Sequence, residues 1–227
     1  AALGELLPLE EQPGGPATRG EARTSIWPAI HPRILELIRS HRSTIVFTNS
    51  RALCERFAAD GYHPTSVADI VDGLGVGKGV FYWYFSSKEE LFVEILRSAQ
   101  KDLRRTQLRA IEDQPDPVRR LELGIRAGVL WMAEHNQQRK LFEFARTEPT
   151  FAGAVMAGQR VLVADAVAHL KDAIGHGGIP YRDPEALGWG ILGVTNVMTR
   201  IYIDEQGADP DDVADMVVAF CMEGIGG

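Results

Sequence analysis

Thr65-Ser66-Val67-Ala68-Asp69-Ile70-Val71-Asp72-Gly73-Leu74-Gly75-Val76-Gly77-Lys78-Gly79-Val80-Phe81-Tyr82-Trp83-Tyr84-Phe85-Ser86-Ser87-Lys88-Glu89-Glu90-Leu91 is the stretch that decides the fold of this chain. Ser66 followed three residues later by Asp69 is an acidic capping box, which predicts a helix from Val67. Val67, Ile70, Val71 and Leu74 share one face at helical spacing. Gly75 suits a left-handed cap, and Val76 plugs the turn. Gly77 stands where a side chain normally caps the next helix, so the capping oxygen is given up there. That helix is predicted from Lys78 to about Phe85, with Phe81 and Phe85 as its anchors. Lys78, Val80, Tyr82, Trp83 and Tyr84 are left for the outside or the flanks. Ser87 with Glu90 is a second capping box and starts a further helix at Lys88.

Two short helices around a glycine turn, then a capped third, have the layout of a helix-turn-helix reader of the DNA major groove. Gly79 lets the backbone approach the groove floor, and Val80 suits a thymine methyl group. Tyr82 and Tyr84 can donate to phosphates, and Trp83 can pack on the sugar-phosphate backbone. Lys88 and the free amides of its helix start suit a phosphate. Taken singly, each aromatic reads as core and each lysine as solvated surface. The spacing of the whole set is what points to duplex DNA.

Residues 52–105 resemble the DNA-binding domain of the TetR family of transcriptional regulators. The resemblance rests on Phe57-Ala58-x-x-Gly61-Tyr62-x-x-Thr65-Ser66-Val67-x-x-Ile70 and on Gly75-Val76-Gly77-Lys78-Gly79-x-Phe81-Tyr82-x-Tyr84-Phe85-x-x-Lys88-Glu89-x-Leu91. Gly77 departs from the pattern, where serine or another capping residue is usual. The resemblance implies an all-α subunit: an N-terminal three-helix DNA-binding unit, then a helical bundle that holds a ligand and dimerises. It also implies operator contacts by Ser66, Lys78, Gly79, Val80, Tyr82, Trp83, Tyr84 and Lys88.

The charge is unevenly spread. Residues 43–105 hold eight basic and eight acidic side chains, and residues 106–227 hold eleven and eighteen, which accounts for the net charge of −7. A general basic coat for nucleic acid is thus absent, and affinity has to come from a local patch, doubled in a dimer. The acidic remainder disfavours DNA elsewhere on the molecule. Cys54 and Cys221 are the only cysteines and read as buried thiols of a reducing compartment. The six histidines have no metal-ligand spacing, and neither a catalytic triad nor a cofactor motif is readable, so no metal, cofactor or enzymatic activity is expected. Ala1–Glu11 lacks the basic head of a signal peptide, and no stretch reaches roughly 18 consecutive apolar residues. The expectation is a soluble, cytoplasmic protein with no membrane partner.

The first fifty residues have another texture. Residues 1–25 are rich in Gly, Pro, Glu and Ala and read as unstructured, followed by a helical run from Pro32 to His41 and a strand-like Ser43-Thr44-Ile45-Val46-Phe47. Residues 24–56 resemble part of an Lhr-type superfamily 2 helicase through Thr24-Ser25-Ile26-Trp27-Pro28, Arg33-Ile34, His41-Arg42-Ser43-Thr44-Ile45-Val46-Phe47, Asn49-Ser50-Arg51 and Glu55-Arg56. The phosphate loop and the acidic metal box of a motor are missing, so ATP hydrolysis has no site. A junction near residues 50–58 follows, whether from natural fusion, faulty gene prediction or an engineered chimera. It leaves Asn49 and Ser50 where large apolar residues of helix one belong, a predicted loss of about 2–5 kcal/mol of packing. The domains read as 1–49, helicase-like; 50–98, DNA-binding; and 99–227, ligand-binding and dimerisation.

Beyond Lys88 the pattern is helical: to about Ile111, Val118 to about His135, Gln137–Arg146, Phe151–Ile174, and then two helices opened by Asp183-Pro184 and Asp209-Pro210. Those last two, about 184–205 and 210–224, carry apolar stripes interleaved with Gly188, Gly190 and Gly193, and are expected to form a four-helix homodimer interface. Trp131, Phe142, Phe151, Met156 and Trp189, with Met132, Phe144 and Met198, are candidate walls of an apolar effector pocket. His135, Arg146, Asn196 and Thr199 are its candidate polar groups. The reading is a homodimeric repressor of double-stranded operator DNA, released by a small, largely apolar effector. The alternative is a helicase remnant or a non-functional helicase–regulator fusion.

Overall fold

The computed structural model describes residues 53–74 and 77–226, all within the unit Ser50–Gly227. The strand expected over 43–47, the apolar deficit at Asn49 and Ser50, and the Gly75–Val76 turn lie outside the described residues. Among the described residues the chain is helical with no strand. The elements are α1 (residues 53–60), α2 (Val67–Leu74), α3 (Lys78–Tyr84), α4 (Lys88–Ile111), α5 (Pro117–Glu134), α6 (Asn136–Thr147), α7 (Pro149–Gly175), α8 (Pro184–Met198) and α9 (Pro210–Gly226).

Punctuation in the sequence sets these boundaries. Gly61, at φ 84°, ends α1 with its amide on the Phe57 carbonyl (3.0 Å), a conformation that side chains resist. Ser66 and Asp69 cap α2 reciprocally: the Asp69 amide reaches Ser66 Oγ at 3.2 Å, and the Ser66 amide reaches Asp69 Oδ2 at 2.8 Å. Asp116, Asp183 and Asp209 each stand before a proline and accept the amide two residues on (2.9, 3.1 and 2.9 Å). The Asp116-Pro117 pair moves the start of α5 one residue ahead of the expected Val118.

α8 departs from the expectation of one continuous helix to Glu205. It gives way at Thr199 to a π-helical segment, Thr199–Glu205, whose wide turns close with Gln206 N–H on the Ile201 carbonyl (3.2 Å). An extra residue per turn rotates the side chains that follow, and such turns cluster at functional sites.

Three apolar clusters hold the unit together. The first joins Leu53, Cys54 and Phe57 of α1, Ile70 and Val71 of α2, Phe81 of α3 and Leu91, Phe92, Ile95 and Leu96 of α4 to Leu141 and Ala145 of α6 and Phe151 and Val155 of α7. Phe92, 0% exposed, is its hub, with the rings of Tyr62 and Phe151 at 4.8 and 4.7 Å. The second packs Ile125 and Val129 of α5 on Val213, Val217 and Cys221 of α9, and the third joins Leu121, Leu170, Ala173, Ile179 and Ile225. α7 reaches, over one 18-residue window, the mean hydropathy of a membrane span (1.3), which the sequence reading did not credit. It also packs on α4, α5, α6 and α8, and its Asp165 holds Arg104 of α4 at 2.5 Å.

Candidate nucleic-acid interface and ligand cavity

α3 is a short rod lying on its Phe81 side. Phe81 is buried, whereas Tyr82 and Trp83 are 56% and 52% exposed. Lys78 and Gly79 are exposed one turn ahead of Tyr82 and Trp83, so these four side-chain positions form a continuous strip. A methyl group on Gly79 would meet nothing within 4 Å, so that face is open to an incoming surface. Val80 is half-buried at its edge. Gly77 sits at the N-cap in extended backbone without a side-chain cap bond, as its lack of an oxygen requires. Ser66 is exposed at the start of α2 with its hydroxyl bonded to Asp69 (2.5 Å), which holds the Asp69 carboxyl below its usual range.

Two expected DNA ligands are engaged within the chain. The Tyr84 hydroxyl is buried at the end of α3, with its ring 5.5 Å from the Trp83 ring. Lys88 Nζ donates to the Tyr62 and Thr65 carbonyls (2.8 and 2.9 Å) and lies 4.1 Å from the centre of the Tyr62 ring. Two of its three protons are thus spent on closing the loop between α1 and α2 onto α4. The second capping box is also staggered: Ser87 accepts the Glu90 amide at 3.2 Å, while Glu90 returns its bond to Ser86 (2.7 Å).

Tyr62 was the residue missed by sequence reasoning. Its hydroxyl donates to Glu89 Oε1 at 2.8 Å, which draws the Glu89 carboxyl down, and burial followed by that bond pushes the Tyr62 hydroxyl up. Its ring touches Phe92, Phe144 and Phe151 at 4.8, 5.6 and 5.0 Å, so it joins the DNA-binding helices to α6 and α7. The only sequence signal was the co-occurrence of Gly61-Tyr62 with Lys88-Glu89.

The second feature is a cavity of about 610 Å³ between α4, α5, α6, α7 and α8. It brings together Trp131, Phe142, Arg146, Met156, Trp189 and Asn196 of the expected set, with Met132 as a further wall. His135 and Phe151 are not among its walls. His135 stacks behind Trp131 (4.4 Å between centroids, 9° between planes), with Nδ1 2.8 Å from the Trp131 carbonyl. Phe151 is 1% exposed in the first core beside Phe92, because the turn at Pro149 aims it at the DNA-binding helices. Phe144 sits in that same cluster, and Met198 and Thr199 are likewise off the cavity wall.

The polar lining was largely unforeseen. Arg139, 7% exposed, pairs with Glu143 (3.2 Å) and with Asp204 of the π segment. Arg120 reaches Asp172 at 3.5 Å. Burial first, then the nearby Arg120 cation, lowers the His169 pKa and keeps its ring neutral near pH 7. Arg120, Arg139, His169 and Thr195 line this cavity, while Arg120 Nε, Arg139 Nε, His169 Nδ1 and Thr195 Oγ1 are occluded and have no hydrogen-bond partner among the described residues. Charged and polar residues inside helices read as surface in a sequence, so nothing flagged them.

The three glycines of α8 divide. Gly188 lets α8 approach α7, where an added methyl would stand 3.1 Å from Val163. Gly190 and Gly193 face open space beside exposed Val197 (48%), and α9 exposes Met216 (41%) and Phe220 (59%). Among the described residues no group of three or more His, Cys, Asp or Glu is placed to hold a metal. Cys54 and Cys221 are buried thiols pushed up to about 12 and about 11 by desolvation.

Residues 51–95 match the family model of bacterial regulatory proteins of the tetR family. Over 180 residues the chain is 28% identical to the HTH-type transcriptional activator FasR of Mycolicibacterium smegmatis, spanning 77% of this chain and 80% of FasR. Its fold is similar to that of the transcriptional regulator FadR of Bacillus subtilis, solved in complex with stearoyl-CoA: TM-score 0.71, 19% identity, 78% of this chain and 97% of FadR. A separate 35-residue stretch, 15% of the chain, is 60% identical to the Lhr helicase/uracil glycosylase of Escherichia coli and covers 2% of that protein.

Proposed function

We propose that this chain, which belongs to the tetR family of bacterial regulatory proteins, acts as a homodimeric repressor whose grip on operator DNA is released by a fatty-acyl effector. The strip Lys78–Gly79–Tyr82–Trp83 of α3 enters the major groove, Ser66 and Val80 flank it, and a second copy of α3 reads the other half-site about 34–36 Å away. The exposed Gly190, Gly193, Val197, Met216 and Phe220 supply the dimer face, in line with a four-helix interface. Lys88 serves this interface indirectly, by fixing α4 to the loop before α2.

One observation carries the link between effector and DNA. α6 is a 12-residue helix with two working faces. Arg139, Phe142, Glu143 and Arg146 line the cavity, and Leu141, Phe144 and Ala145 pack in the core shared with α1, α2 and α4. A ligand that alters the Arg139 pairing with Asp204 therefore acts on a helix that the DNA-binding unit rests on. The effect is a population shift, and it needs different affinities for the two arrangements.

The apolar walls suit an acyl chain, and Arg146 among the lining residues suits an anionic head. FadR, the similar structure, holds stearoyl-CoA, so this thioester is the first effector to try. The test selects an operator from random duplexes and follows its anisotropy. Stearoyl-CoA is expected to weaken binding at least tenfold. Unchanged or tightened binding would contradict release.

A further inference from the structure

α5 carries two glycines in its interior, Gly124 and Gly128, one turn apart on the side that lines the cavity. Glycine is a poor helix former, so its use there asks for a reason of space. The two positions differ. A methyl group on Gly128 would stand 3.0 Å from Gln107 Nε2, so that glycine makes room for a side chain of α4. A methyl group on Gly124 would meet nothing within 4 Å. Among the described residues no neighbour requires that glycine, and the space beside it is the cavity's.

We infer that Gly124 sets the bore of the cavity and is the residue that lets long acyl chains in past the point where short ones end. This rests on the effector reading above and adds the length of the chain.

The register of the helices places Gly124 far from the head. It stands eight residues before Met132 on α5, about 12 Å along the axis, and α5 meets α6 at His135. A chain with its head beside Arg146 of α6 therefore comes to Gly124 late: an octanoyl chain is shorter than that span, and a stearoyl chain is longer. Asp102 accepts from the Trp131 indole (2.9 Å) and Gln107 donates to the Gly124 carbonyl (3.0 Å), so α4 and α5 run antiparallel. Leu108 and Ile111 of α4 then lie with Leu121 of α5 beyond the glycine, an apolar end for the last methylenes. The lining charges do not oppose a plain chain, because Arg104, Arg120, Arg139 and Arg200 are each paired with a carboxylate.

Calorimetric titration of the full chain with octanoyl-CoA and stearoyl-CoA tests this in the wild type, Gly124→Leu, Gly124→Ala and Gly153→Leu. Gly153, inside α7, is exposed, also faces open space and is off the cavity wall. The wild-type protein is expected to favour stearoyl-CoA, whose methylenes past Gly124 are buried. Gly124→Leu should cut that preference at least tenfold, the scale of an overfilled apolar site. Gly124→Ala should cut it less and in the same direction, and Gly153→Leu should keep it. Leucine and alanine both favour a helix over glycine, so circular dichroism should show full helix content in each variant. If leucine at 124 costs the fold, Gly124→Ala decides alone. Equal affinities in the wild type, a preference that survives substitution of Gly124, or one that falls as far in Gly153→Leu would overturn the inference and leave the effector reading standing. If neither thioester binds the wild type, the effector reading fails and takes this inference with it.

Discussion

The DNA-binding end and the effector bundle treat their polar side chains in opposite ways. Around α1 to α4 they are spent on one another: Ser66 with Asp69, Tyr62 with Glu89, Lys88 with two carbonyls, Ser86 and Ser87 with Glu90. On α3 that end leaves outward a strip of Lys78, Tyr82 and Trp83. In the bundle, Arg120, Arg139, His169 and Thr195 line a cavity, and each keeps one occluded nitrogen or oxygen without a hydrogen-bond partner among the described residues. Apart from the buried Tyr84 hydroxyl, the network at the DNA-binding end is closed on itself and fixes one shape, which a reader of a rigid groove needs. A wall with unpaired polar atoms behind it is less firmly fixed than such a network. The two regimes touch through α6, α7 and the ring of Tyr62.

Phe92→Ala empties the hub where both regions meet and is expected to cost about 3–5 kcal/mol in urea unfolding. It should also uncouple the two ends into separate transitions. A loss under about 1 kcal/mol would mean that the ends do not share a core.

Lys88→Met removes a charged donor from two carbonyls and should cost about 2 kcal/mol of stability. If the clamp is its role, DNA affinity falls only with folding, and the salt dependence keeps its slope. A slope smaller by about 1 in the variant would restore it as a phosphate ligand.

Tyr62→Phe probes the same network by pH, with an effect of about 1 kcal/mol. The Glu89 carboxyl is held below its ordinary 4.5, so its contribution is present above that value and is lost as pH falls through the lowered one. The Tyr62 hydroxyl is raised above its ordinary 10.0, so its contribution is present below that value and is lost as pH rises through the raised one. The wild-type protein should therefore exceed the variant in stability between these limits and converge with it outside them. Parallel stability curves from acid to alkali would refute the bond.

Much of this was legible in the chain because caps and prolines are local. Ser66/Asp69, Ser87/Glu90, Asp183-Pro184 and Asp209-Pro210 marked their helix starts within a few residues. Long-range partnerships were not legible. Lys88 finds its carbonyls 26 and 23 residues back, and a lysine at a helix start looks the same whether it meets a carbonyl or a phosphate. The sequence marked Phe142, Phe144 and Phe151 as apolar wall candidates but not which core each enters. The π turn after Met198, which swings Asp204 onto Arg139, has no signature of glycine or proline.

The most direct test of the account is the affinity of Tyr82→Ala and Trp83→Ala for a selected operator duplex, measured beside their thermal unfolding. Both side chains stand mostly in solvent, so the unfolding midpoint should hold while affinity falls about tenfold to a hundredfold. Wild-type affinity in both variants would contradict the claim that α3 is the helix that reads DNA.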